Sequence, residues 1–90
     1  MVYFLQMKPA TLIEIEEESR INNRIGEFFR NGRMLKRMTV REVVLECRKR
    51  GWNTGPTSIN RIEKGYPVGI SRLYILCKIY DLSPRVLLVF

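Results

Sequence analysis

From Thr39 onward the sequence repeats one pattern, a short apolar stripe at helical spacing that opens on a capping residue and closes on a helix breaker. Thr39 places a hydroxyl where it can accept an otherwise unpaired first-turn amide, and Glu42 three residues later completes a Thr-x-x-Glu capping box. Val40, Val43, Val44 and Cys47 follow as the stripe of a second helix, Arg48, Lys49 and Arg50 suit the negative end of its dipole, and Gly51 ends it. Trp52-Asn53-Thr54-Gly55-Pro56 is a connector. Ile59 and Ile62 then mark a third helix over residues 56–64, with Thr54 as the expected cap, Pro56 in its first turn and Gly65 as its stop. After Tyr66-Pro67-Val68-Gly69, Ser71 is the expected cap of a fourth helix carrying Leu73, Leu76, Cys77 and Tyr80. Ser83 and Pro84 open a short fifth one that runs into the apolar Val86 to Phe90.

Upstream of Thr39 the spacing of Ile25, Phe28, Phe29 and Leu35 predicts a first helix starting near Asn22, with Arg24, Arg30, Arg33, Lys36 and Arg37 on its polar side. Gly32, about 1 kcal/mol poorer than alanine in a helix, predicts a bend or stop. Residues 2–7 are apolar and rich in strand formers, Lys8-Pro9-Ala10 interrupts them, and Leu12, Ile13 and Ile15 resume the pattern. The expectation is a mainly α fold. It comprises a five-helix domain over residues 22–90, preceded by an extended segment over residues 1–21, a strand, hairpin or arm. A lone ribbon is marginal, so that segment is expected to pack on the body or pair with its copy in a second subunit.

Ninety residues with 46% hydrophobic content support one packed domain. Residues 1–19 hold one cation, Lys8, against Glu14, Glu16, Glu17 and Glu18, so the chain's net +7 becomes +10 over residues 20–90. That imbalance suits a partner built of phosphates, and equally a plain solvated surface. There is no histidine to act as a base, and Cys47 and Cys77 lie 30 positions apart without neighbouring ligands. No catalytic group, metal site or cofactor is therefore expected, and both cysteines read as core fillers. The apolar runs fall short of the roughly 20 residues that span a bilayer, and no leader peptide is evident, so a cytoplasmic protein is expected.

The order of these motifs is more specific than their composition. Met38-Thr39-Val40-Arg41-Glu42-Val43 resembles the start of the second helix in the Cro/repressor-like helix-turn-helix family (XRE type). Thr57-Ser58-Ile59-Asn60-Arg61-Ile62-Glu63-Lys64-Gly65 resembles its recognition helix, and residues 70–88 resemble its closing helices. The likeness covers residues 22–88 and departs from the family between Cys47 and Thr57, about five residues longer than the usual tight turn. It implies a lambda-repressor-like helical domain and a transcriptional regulator, a repressor acting as a homodimer on a partly palindromic site in double-stranded DNA.

The residues of the third helix suit that role. Ile59 and Ile62 set its inner side, leaving Arg61 to pair with guanine, Asn60 with adenine and Thr57 with thymine. Ser58 is a further base-contact candidate, as well as a capping or phosphate-binding one. Thr39, Arg41, Lys64, Arg37 and Lys49 are the candidate phosphate contacts. Glu63 lacks a second carboxylate for acid–base work and is expected in an internal ion pair, and Trp52 is expected over the edge of the core. The competing reading is an antitoxin-like module whose residues 2–15 grip a partner protein.

Overall fold

In the computed structural model the described residues are 2–85 for the backbone and 16–85 for the side chains, and they form four α-helices and no strand. These are α1 (Val2–Leu35), α2 (Val40–Lys49), α3 (Pro56–Glu63) and α4 (Ile70–Ile79). At 1.5 Å per residue α1 is about 50 Å long, which accounts for the 51 Å long axis of the molecule against 25 and 18 Å across.

The extended N-terminal segment expected over residues 1–21 is therefore corrected, because residues 2–21 are the first part of α1. A short apolar run does not by itself distinguish strand from helix, and the Leu, Glu, Gln, Met and Lys of this region are good helix formers. The helix also runs through Pro9 and Gly32 without a break. At Gly32 the reason is packing, since a Cβ there would come within 3.0 Å of Leu82 Cδ1 and 3.3 Å of Tyr80 Cβ. Leu35, expected on the inner stripe, is 83% exposed in the last turn.

The core joins all four helices: Ile25 and Phe29 from α1, Val43, Val44 and Cys47 from α2, Ile59 and Ile62 from α3, and Leu76, Cys77 and Ile79 from α4 with its C-cap Tyr80. Both cysteines are free and buried, and burial pushes the Cys47 thiol up to about 11. Trp52 covers the core edge, with the Arg72 guanidinium 5.5 Å from its ring centre. Phe29 packs on Tyr80 at 5.9 Å.

Every helix ends in the same way. The N–H two residues past the last helical turn's cap reaches back five residues, in Met38 to Arg33, Trp52 to Cys47, Tyr66 to Arg61 and Leu82 to Cys77, each with the inner bond of a Schellman motif. The left-handed residue these motifs require is Gly51 at φ 89° and Gly65 at φ 100°, but Arg37 at φ 53° and Asp81 at φ 57° fill the other two.

The capping box of α2 forms as expected, while the other two caps differ. Gly55 occupies the N-cap of α3 and Gly69 that of α4, neither with a side-chain bond. Thr54 is buried instead, its hydroxyl without a partner, and Ser71 lies inside α4. The expected fifth helix is described only at its start, where residues 84 and 85 form a single tight turn and Ser83 Oγ accepts from the Arg85 N–H at 3.4 Å. Residues 86–90 of that expectation lie outside the described residues. The long connector is an enlarged turn rather than an extension of α2, which stops at Lys49.

Candidate nucleic-acid interface

The site is built around α3 because its eight residues divide cleanly between two faces. Ile59 and Ile62 are buried, and a 100° step per residue puts Thr57, Asn60, Arg61 and the C-cap residue Lys64 on the opposite arc. All four are exposed.

The inner face is fixed against α1 by two contacts that no local pattern signals. At Gly26 a Cβ would lie 2.5 Å from the Ile62 carbonyl oxygen and 2.8 Å from that of Glu63, so only glycine lets the two backbones approach this closely. Three residues earlier in α1 stands Asn23, whose side chain a Cβ on Gly65 would meet, so that glycine serves both its left-handed turn and the contact with α1. Two turns beyond Gly26, Arg33 forms a two-pronged ion pair with Glu63, Nε donating to Oε2 at 2.7 Å and Nη2 to Oε1 at 3.0 Å. Its Nη1 also donates to the Met38 carbonyl at 3.1 Å, so one guanidinium ties α1, the α1–α2 turn and α3 together.

This pair is mostly enclosed, with side-chain exposures of 18% for Arg33 and 9% for Glu63. The hydrogen bond to Glu63 raises the Arg33 pKa against the opposing effect of burial. The adjacent Tyr80 hydroxyl, itself without a partner, is driven upward by burial and then by the Glu63 charge. Glu63 thus takes the place expected for it. Arg33 is spent on it, and cannot serve as a flanking phosphate contact.

Other cations are committed locally. Lys49 and Arg50 both pair with Glu46, at 3.5 and 2.7 Å, and Lys36 pairs with Asp81 at 2.5 Å, joining the end of α1 to the end of α4. The Asp81 carboxyl is held below its ordinary range by that hydrogen bond, and Glu46 by its bond from Arg50. Arg24, Arg30, Arg37, Arg41, Arg61 and Lys64 make no ion pair among the described residues.

The expected site residues consequently fall into three places. Thr57, Asn60, Arg61 and Lys64 share the outer arc of α3, whereas Ser58 lies on its flank beside the connector. Thr39, Arg41 and Arg37 gather at the junction of α1 and α2, where the Thr39 hydroxyl is occupied by accepting from the Glu42 N–H and donating to Glu42 Oε1, both at 3.1 Å. Lys49 stands at the far end of α2, about 12 Å from Arg41 along the axis, and is not part of that group.

Two residues absent from the sequence-based set join it. Arg30 of α1 borders the groove that also holds Asn60 and Lys64, and Arg72 of α4 faces Arg61 across a cleft next to the connector. Neither neighbourhood is encoded in local spacing. The cleft, about 470 Å³, lies between the connector and the α3–α4 loop, and in it the Arg61 guanidinium rests 5.9 Å from the centre of the Tyr66 ring.

Among the described residues there is no group of His, Cys, Asp or Glu side chains able to hold a metal, and no helix long and apolar enough to cross a membrane. The chain matches no protein-family model, no curated protein and no solved structure.

Proposed function

We propose that this protein is a sequence-specific, double-stranded DNA-binding regulator of the lambda-repressor-like helix-turn-helix kind, with α3 entering the major groove. The observation that carries the reading is the outer arc of α3. It presents a hydroxyl, an amide, a guanidinium and an ammonium, while the helix's only carboxylate, Glu63, is turned inward and neutralised by Arg33. An α-helix fits the major groove, and Asn60 and Arg61 have the donor and acceptor patterns that distinguish adenine and guanine there. Arg61 reaches a base edge by leaving the Tyr66 ring, a weak and partly solvated contact.

Arg30, Arg37, Arg41 and Lys64 supply phosphate contacts around that helix. One short helix reads few base pairs, so a homodimer on a partly palindromic operator gives the specificity a repressor needs. The partner-protein reading rests on residues 2–15, whose side chains lie outside the described residues.

Fluorescence anisotropy on labelled duplexes at several salt concentrations tests the proposal. Four phosphate contacts per protomer in a dimer give a log–log salt slope of about −7. A selected duplex is expected to bind at least a thousandfold more tightly than a scrambled one. Equal affinity for both would overturn sequence-specific reading.

A further inference from the structure

The cleft beside α3 has features that base reading does not use. Its walls are the enlarged connector and the Tyr66–Gly69 loop, and its lining contains no carboxylate. Two guanidiniums border it, Arg61 lying over Tyr66 and Arg72 over Trp52. A guanidinium beside an aromatic ring keeps N–H donors free for two-pronged binding of an oxyanion. Ser58 adds a hydroxyl from the first turn of α3. Thr54, 8% exposed, forms part of the floor with its hydroxyl unpartnered. Tyr66, 56% exposed, offers a ring face at the rim.

Size agrees with chemistry. A volume of about 470 Å³ falls in the roughly 300–1,000 Å³ range of small-molecule sites. We propose that this cleft is a regulatory site for a small phosphorylated aromatic ligand of the mononucleotide class. Its phosphate is held between Arg61 and Arg72, and its ring lies against Tyr66. Because Arg61 is also a base reader in the function proposed above, a bound ligand withdraws that side chain from the DNA, and ligand and operator compete. The binding half of the proposal stands without that function; the competition half rests on it.

Trp52 is the chain's only tryptophan and lies under Arg72, so its fluorescence reports occupancy. Titration of the full chain with adenosine or guanosine monophosphate, at constant ionic strength, is expected to change that signal saturably, and adenosine or guanosine alone is expected not to. Arg72→Ala, which removes an exposed side chain outside α3, is expected to weaken mononucleotide binding at least tenfold, read by calorimetry to avoid the altered tryptophan environment. In the same variant, whatever operator affinity remains should no longer be inhibited by mononucleotide.

A flat titration to millimolar ligand, or an equal response to added chloride, overturns the site. If duplex DNA alters Trp52 emission and mononucleotide does not, the cleft holds a phosphate of the DNA backbone and the small-ligand proposal is overturned. Mononucleotide binding in a protein that ignores DNA sequence overturns the reading of α3 and the competition while leaving the site itself standing.

Discussion

The two faces of α3 are made by opposite means. Its inner face is held by interactions with little freedom: the buried Ile59 and Ile62, the backbone approach at Gly26, and the enclosed Arg33–Glu63 pair. Its outer face, Thr57, Asn60, Arg61 and Lys64, bears almost none of the fold's packing. The difference teaches that position and chemistry are separable here. Eight residues make a helix too short to persist alone, so α3 owes its existence and its direction to the inner face, and its outer face is left free of packing demands.

Substitutions on the inner face should break this arrangement first. The largest effect is expected from Gly26→Val, which forces a branched side chain into the carbonyls of Ile62 and Glu63. Since neither backbone can yield locally, either the chain loses cooperative unfolding or its stability falls by more than about 4 kcal/mol; thermal and urea unfolding followed by circular dichroism measure it. Next is Arg33→Ala, which strands the Glu63 carboxylate in an enclosed site and is expected to cost about 3 kcal/mol. Arg33→Ala combined with Glu63→Leu should recover part of that loss, because the stranded charge is then gone.

A smaller loss, about 1 kcal/mol, is expected for Thr39→Ala through the capping box of α2. Arg37→Gly sharpens the comparison with the opposite sign. It removes a side chain from a left-handed position and should stabilise the fold by about 1 kcal/mol, while weakening binding to all DNA sequences alike. On the outer face, Asn60→Ala and Arg61→Ala should each leave unfolding midpoints within about 0.5 kcal/mol of the parent.

What the sequence made legible is what local chemistry encodes. The capping box at Thr39 and Glu42, the stops at Gly51 and Gly65, and the inward Ile59 and Ile62 are all present where their spacing puts them. The caps of α3 and α4 fall to glycines rather than to Thr54 and Ser71, because a glycine N-cap costs only a few tenths of a kcal/mol relative to a hydroxyl one and Thr54 is drawn into the interior. Residues 2–7 read as a strand because composition alone cannot assign a short apolar run, yet their backbone is helical.

The candidate site could be read from local spacing only on α3. Arg33 and Glu63 are thirty positions apart, and Gly26 looks like an ordinary helix interruption until the backbone of α3 is laid against it. Arg30 and Arg72 join the site through the same tertiary placement, which no periodicity records.

The central claim is that the outer face of α3 reads base sequence, and binding-site selection from random duplexes, run on the parent and on Asn60→Ala and Arg61→Ala, tests it most directly. The account predicts a partly palindromic motif for the parent, and relaxed preference at one base position per half-site in each variant, with about 1–3 kcal/mol of discrimination lost there. A motif unchanged by both substitutions, or no motif enriched by the parent, would contradict it.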